Sequence, residues 1–371
     1  MMESKDNLTP AMKQFHHFKA KHPDCILFFR MGDFYEMFFD DAKTCPKVLG
    51  LTLTSRGKNG PDPVPLAGVP YHAVEGYIAR LVERGYHVAV VEQVGSEPVN
   101  GLTPREVSRV ITPGTVMEPG MLADARHNYL LALAPEPDRS GEGWAGVGIA
   151  YADISTGEFA ATQVTGDGAT LIVVEELARL EPREVLLPAS WAERGVTLPS
   201  GAHITPLPDY RFGSAYTRDA LINHFEVTTL DGFGLQNKPL AVRAAGAILD
   251  YVIETQRSAL EQFTNLHSYS TTGFMMLDPA TRRNLEITAS MADGRKGGSL
   301  LGCLDRTCTA MGARRLKQWL SYPLVGLEPI RQRLDAVEEL LESGTIRDSL
   351  IVPLRGIADL ERLNGRIGMA S

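Results

Sequence analysis

RMGDFYEMFFDD, residues 30–41, packs four aromatic rings and four acidic side chains into twelve positions. The division of Phe34, Tyr35, Phe38 and Phe39 between core and surface decides how the first segment folds, and Glu36 sits in their midst. With Asp33 as N-cap the stretch opens a helix, Glu36 stands three positions on, and D-x-x-E matches the capping-box pattern. On that helix, at about 100° per residue, Phe38 falls among Ala42, Cys45 and Leu49 in the buried stripe. The apolar groups of the first turn then spread over about 200°, twice the usual width, so some of them must leave the core. Phe38 is expected inside. Phe34 is expected at the helix N-terminus, where free amides and the helix dipole favour anions such as phosphate. The positions of Tyr35 and Phe39 stay open.

Around this stretch, a chain of 371 residues exceeds one ordinary domain, and two or three are expected. A composition of 44% hydrophobic and 22% charged residues suits a globular chain with real cores. No apolar run approaches the roughly 18 residues of a membrane span, and MMESKDNLTP does not read as a signal peptide. Cys25, Cys45, Cys303 and Cys308 show no CxxC spacing and no disulfide framework, so a reducing, cytoplasmic setting is expected. The net charge of −8 is unevenly spread: residues 1–113 hold 13 basic and 13 acidic side chains, residues 256–371 hold 15 and 13, and residues 114–255 hold 9 and 19. A polyanion would avoid the middle third and could tolerate the other two.

The first segment reads as mixed α/β. Thr9-Pro10 offers an N-cap and a first-turn proline, followed by the stripe Met12, Phe15, Phe18. CILFFR (25–30) reads as a buried strand, and the helix opened at Asp33 must kink or end at Pro46. LGLTLTSRG (49–57) and VPLAGVP (64–70) read as a strand and a strand-to-turn passage, YHAVEGYIARLVERGY (71–86) as an amphipathic helix, and HVAVVEQVG (87–95) as a buried strand. A loop-like passage, TPGTVMEPGMLADARH, leads to a second segment. There two strands flank the turn Ser155-Thr156-Gly157 within 146–164, a helix spans 169–180, and EVLLP (184–188) is a strand, the pattern of an α/β sheet domain. From about 240 the pattern turns helical, which predicts a separate all-α domain.

An exposed ring beside a carboxylate suggests a wedge for DNA. An apolar side chain entering from the minor groove partly unstacks a base step, at a cost of a few kcal/mol. A mispaired or bulged base has already lost pairing energy and opens more cheaply. Stacking the ring on it returns roughly 1–3 kcal/mol. The carboxylate is repelled by phosphates unless it meets a base N–H or becomes protonated, so it penalises intact pairs. The two effects together give discrimination of about 10–100-fold.

RMGDFYEMF, LGLTLTSRG, PLAGVPYHAVEGYIARLVERGYHVAVVEQV and SRVITPGT resemble the mismatch-recognition domain of the bacterial MutS family of DNA mismatch repair proteins. The resemblance continues through NYLLAL (128–133), YADISTGEF (151–159), DYVIETQRSAL (250–260), LDPATRRNLEIT (277–288) and LLGCLDRTCTAMGARRLKQWLSYPL (300–324), in one order along essentially the whole chain. It implies a mismatch-recognition domain over 1–113, a linker over 114–126, a ribonuclease H-like connector over 127–255 and part of an all-α core and lever domain over 256–371. Phe34 and Glu36 then occupy the Phe-x-Glu motif that intercalates at, and hydrogen-bonds to, the mispaired base. Met31 and Asp33 flank it at the minor groove, Arg56 and Arg109 are expected phosphate contacts, and the loop AGVP (67–70) is expected to bring backbone close to DNA. Arg282 and Arg283 of TRRNLEIT are expected to pair with acids of neighbouring helices.

The resemblance also implies partners: duplex DNA with a mismatch or small loop, a MutL-type repair protein, a second copy of the full-length chain, and a place at the nucleoid. The pattern G-x-x-x-x-G-K-[ST] is absent, and GRKGGS (294–299) lacks its spacing and its ending. ATP and Mg are therefore expected of a C-terminal part beyond these residues, and no enzymatic activity is expected of this chain. Three other readings compete. A two-metal nuclease in the middle segment would gather Asp153, Glu158 and Glu175 or Glu176 about a common point. A paralogue that binds other DNA structures would keep the fold without reading mismatches, and a purely structural subunit would bury Phe34.

Overall fold

The computed structural model describes residues 9–56, 63–94, 103–140, 143–166, 168–195, 198 and 201–368. They fall into two units, one of residues up to Met121 together with 254–257, the other of 122–253 and 258 onward. The elements of the first are α1 (Pro10–Lys21), β1 (Cys25–Met31), β2 (Phe34–Phe38), α2 (Phe39–Leu49), β3 (Thr54–Arg56), β4 (Val64–Pro70), α3 (Val74–Val82), β5 (His87–Gln93) and β6 (Arg105–Ile111). The six strands form one sheet in the order β3-β4-β2-β1-β5-β6.

The helix expected to open at Asp33 does not form there. Gly32 and Asp33 are the two-residue turn of a hairpin whose arms pair Phe29 with Glu36, Arg30 with Tyr35 and Met31 with Phe34. Gly32 has φ +60, and a positive φ at the first central residue is what a type II′ hairpin turn requires. The aromatic run is therefore a strand of period two, with Tyr35, Met37 and Phe38 buried and Phe34 exposed. The helix starts only at Phe39, whose own φ of +52 makes the corner, with its ring 5.7 Å from Phe15 and 4.9 Å from His16. Pro46 does not end the helix. It continues to Leu49 and closes on Gly50 at φ +73, whose N–H donates to Pro46 O at 2.9 Å. What Pro46 removes is the bond its missing N–H would have given to the carbonyl four residues back.

Alternation along the strands separates two faces. On one, Leu27, Phe29, Phe38, Ala89, Val91 and Val110 close over Met12, Phe15 and Phe18 of α1. On the other, Phe28, Tyr35, Met37, Ala67, Val69, Val88 and Val90 are buried beside α2 and α3. The passage 64–70 is strand throughout, the expected strand at 49–57 shrinks to Thr54–Arg56, and the expected helix at 71–86 begins with a 3₁₀ turn at Tyr71–Ala73. β6 had no sequence assignment. Gly57 and Gly95, the last residues of two expected strands, lie outside the described residues.

The second unit contains β7 (Leu130–Pro137), β8 (Trp144–Asp153), β9 (Glu158–Thr165), α4 (Ala169–Leu180), β10 (Glu184–Pro188), α5 (Ala189–Ala192), β11 (His203–Leu207), α6 (Ser214–Phe225), α7 (Pro239–Thr255), β12 (His267–Ser268), α8 (Pro279–Asn284), α9 (Leu300–Leu304), α10 (Ala310–Ser321), α11 (Leu327–Glu342), α12 (Gly344–Arg355) and α13 (Leu360–Gly368). Its sheet runs β11-β10-β7-β8-β9-β12, antiparallel through β7, β8 and β9 and parallel beyond them. α4 covers one face, with Val173, Leu177 and Leu180 against Leu131, Ile149 and Val185. α7 packs on this unit, so the helical pattern from 240 does not begin a separate body. A Cβ at Gly148 would stand 1.9 Å from Leu240 O, so only glycine admits this helix so close to β8. β12 is a further strand inside the stretch read as wholly helical.

Candidate nucleic-acid interface

The hairpin of β1 and β2 presents one uncovered surface at its tip. Phe34 and Glu36, two positions apart on a strand, point to the same face. Met31 is the register partner of Phe34 on one side and Pro70 on the other, and Gly68 lies opposite Glu36. Phe34 is 48% exposed, far more than the neighbouring Phe28, Phe29 and Phe38, which are fully buried. Gly68 is exposed beside it, and a Cβ there would meet only Tyr35 O at 3.5 Å and Glu36 Cγ at 3.8 Å. Its missing side chain leaves the β4 backbone bare next to the ring.

Glu36 is half-buried, and its Oε2 lies 3.5 Å from Nη1 of Arg56, on the outermost strand β3. Burial pushes the Glu36 carboxyl above its ordinary range, and the Arg56 charge pulls it back in part. Because Glu36 is on a strand and not at the third position of a helix, no capping box holds it, and Phe34 does not open α2. Asp33 is exposed at the turn, where its carbonyl accepts from Tyr71 N–H at 2.9 Å. The Arg30 guanidinium lies over the Tyr71 ring at 4.3 Å and the Tyr35 ring at 5.2 Å.

Tyr35 and Phe39, left open by the sequence, are structural. Tyr35 faces the opposite side of the sheet, where its hydroxyl donates to Glu92 Oε1. Its phenol is pushed up to about 12, by burial first and then by its hydrogen bond to Glu92. Arg109 is separated from the tip. It pairs with Val90 on β5, which puts it on the Tyr35 face, and its Nη1 lies 3.3 Å from Glu118 Oε1. Met31, Phe34, Glu36 and Arg56 thus share one face, and Arg109 does not join them. Sequence reasoning missed Gly32 and Arg105, and reached Gly68 only as part of AGVP (67–70). Gly-Asp between two apolar runs is a hairpin signal that reveals the first.

In the second unit three of the candidate metal carboxylates, Asp153, Glu158 and Glu176, are spent on internal bonds, while Glu175 Oε2 is buried without a hydrogen-bond partner. Asp153 is fully buried and accepts from Asn128 N–H at 3.2 Å, Ser155 N–H at 3.0 Å and Ser155 Oγ at 2.6 Å, with His127 Nδ1 at 2.9 Å. Burial alone would raise its carboxyl, but His127, Ser155 and Asn128 outweigh it and hold the group below the usual range. Glu158 accepts from Tyr129 and Tyr151, and Glu176 from Arg179 and Tyr269. Among the described residues no group of three or more His, Cys, Asp or Glu is arranged to hold a metal ion. Arg282 does not reach an acid: both its terminal nitrogens donate to Ser321 O at 2.9 Å, closing the C-terminus of α10.

Comparison with known proteins matches residues 9–119 to MutS domain I, residues 128–264 to MutS domain II and residues 280–371 to MutS domain III. The chain is 43% identical to the DNA mismatch repair protein MutS of Desulfatibacillum aliphaticivorans over 99% of its length, and 45% identical to that of Symbiobacterium thermophilum over 98%. It spans 41% of the length of each of these two relatives. Three consecutive domain matches and this identity along the whole chain lead to one conclusion: the chain belongs to the MutS family and carries its domains I, II and III.

Proposed function

We propose that this chain is the mismatch-reading and relaying part of a DNA mismatch repair protein. The observation that carries the reading is the half-exposed Phe34 ring near the half-buried Glu36 at the uncovered tip of the hairpin. Phe34 enters from the minor groove and stacks on a mispaired or bulged base, kinking the duplex. Glu36 accepts from, or when protonated donates to, the edge of the displaced base, and opposes docking on intact pairs. Bare backbone at Gly68 lets the sugar-phosphate chain approach, Met31 and Asp33 border it, and Arg56 leaves Glu36 to meet a phosphate. Arg109 would reach a phosphate only from the opposite face and at the expense of Glu118, so its contact is secondary.

In this reading the recognition domain spans 1–113, the linker 114–126, a ribonuclease H-like connector 127–255 and the helical core and lever part 256–371. The antiparallel β7–β9 sheet extended by parallel strands supports the connector assignment. A MutL-type partner, a homodimer of the full-length protein and a cytoplasmic, nucleoid-associated setting belong to the same proposal. ATP and magnesium do not fit GRKGGS (294–299). Lys296 of GRKGGS is paired with Asp305, and the Ser299 oxygen caps α9 by accepting from Gly302 N–H at 3.1 Å. No nucleotide step is assigned to these residues. The main alternative is a paralogue that binds other DNA structures without mismatch preference.

Fluorescence-anisotropy titration of the full-length protein on a single-thymine-bulge duplex and its matched control separates the two. Phe34→Ala should stay folded and lose the bulge preference, about 10–100-fold, leaving the two duplexes equally weak. Retention of the preference by this variant would remove the wedge from the proposal.

A further inference from the structure

Arg105 stands at the start of the edge strand β6 and belongs to none of the site residues above. Its guanidinium is directed into the fold. Nε donates to Arg30 O at 3.0 Å, Nη1 to Gln14 Oε1 at 3.0 Å and to Thr103 O at 3.1 Å, and Nη2 reaches Met31 Sδ at 3.3 Å. The same group lies 4.8 Å over the Phe29 ring. Arg30 and Met31 are the last two residues of β1 before the turn, and Met31 is the register partner of Phe34. One side chain therefore joins α1, the edge strand and the end of the strand against which Phe34 rests.

We propose that Arg105 is a positioning residue for mismatch reading: it fixes the Met31 end of β1 so that the Phe34 ring stands off the sheet in one orientation. The proposal rests on the wedge reading of Phe34. Arg105 acts through Met31 and not on DNA, since four of its five donors are engaged by Arg30, Gln14, Thr103 and Met31. A planar fork with five donors can span these acceptors together, whereas the point charge of lysine cannot. Loosening Met31 would let the ring sample orientations that do not enter the duplex. Ordering it again on binding costs affinity for the bulge, while matched DNA, which is not entered, is bound as before.

The test uses the full-length protein with Arg105→Lys, Arg56→Gln and Phe34→Ala, titrated against bulged and matched duplexes over a series of salt concentrations, with melting curves alongside. Arg105→Lys should keep its matched-duplex affinity within about twofold, keep the slope of log affinity against log salt, and lose about fivefold of its bulge preference. Arg56→Gln should instead weaken both duplexes alike and lower the slope by about one, the mark of a lost phosphate contact. Full bulge preference in Arg105→Lys, or a slope lowered by about one with equal weakening on both duplexes, overturns the proposal while leaving the wedge intact. If Phe34→Ala itself keeps the preference, the wedge reading fails and this proposal with it. Should Arg105→Lys not fold, Gln14→Leu removes one anchor and keeps the fork, and about twofold loss of preference is expected, against none if positioning plays no part.

Discussion

Phe34 and Glu36 differ from their neighbours in what the sheet does to them. Tyr35 and Met37 are driven into the core by strand alternation, and Phe34 and Glu36 are left on the face that α1 covers only in part. The site needs both a ring that finds no core and a carboxylate that is dried without being fully paired. Burial raises the Glu36 carboxyl, so between its ordinary value near 4.3 and its folded value the native state holds more proton than the unfolded chain. Stability therefore falls as pH rises through that window and stays lowered above it. Glu36→Gln removes this dependence. Urea titrations at pH 4 and pH 8 should show the variant gaining on the wild type at pH 8 relative to pH 4. Equal differences at the two pH values would contradict the raised carboxyl.

At the scale of elements, the hairpin is the device. Its turn depends on Gly32 at φ +60, and a Cβ there would meet nothing within 4 Å. Gly32→Ala should therefore cost only the backbone term, about 1–2 kcal/mol, measured as a lower urea midpoint at unchanged slope. An unchanged midpoint would show that the turn is not held in that conformation.

The same element shows where the sequence is legible and where it misleads. Phe38 as core follows from either period, because it is buried whether 34–38 is helix or strand. Phe34 as surface was reached through a helix that does not exist: D-x-x-E mimics a capping box, and the apolar spread over the first turn was a strand read at the wrong period. The period-two burial of Tyr35 and Met37, with Gly-Asp before it, held the correct answer. Arg105 was illegible because its partners Gln14, Arg30 and Met31 lie far away in sequence and converge only through the strand order. α4 and β10, set by local apolar patterns, were readable to the residue.

At the largest scale, the opening segment of the second unit is held by two buried arginines. Arg314, almost wholly buried, donates to Asp124 O at 2.9 Å and is neutralised by Asp359 at 2.7 Å and Glu361 at 2.6 Å. Arg362 donates to Ala123 O at 3.1 Å and Arg126 O at 2.7 Å, and His127 continues the segment into Asp153. Residues 123–127 are thus tied to α10, α13 and β8 within the second unit. The central claim remains the insertion of Phe34. We would measure it with 2-aminopurine placed beside a single-thymine bulge, comparing the full-length protein with its Phe34→Ala variant at saturating concentration. The account predicts that the wild type raises the fluorescence, as the neighbouring base is unstacked, and that the variant leaves it near the level of free DNA. Equal enhancement by both proteins would mean that something other than Phe34 opens the duplex, and the wedge would have to be abandoned.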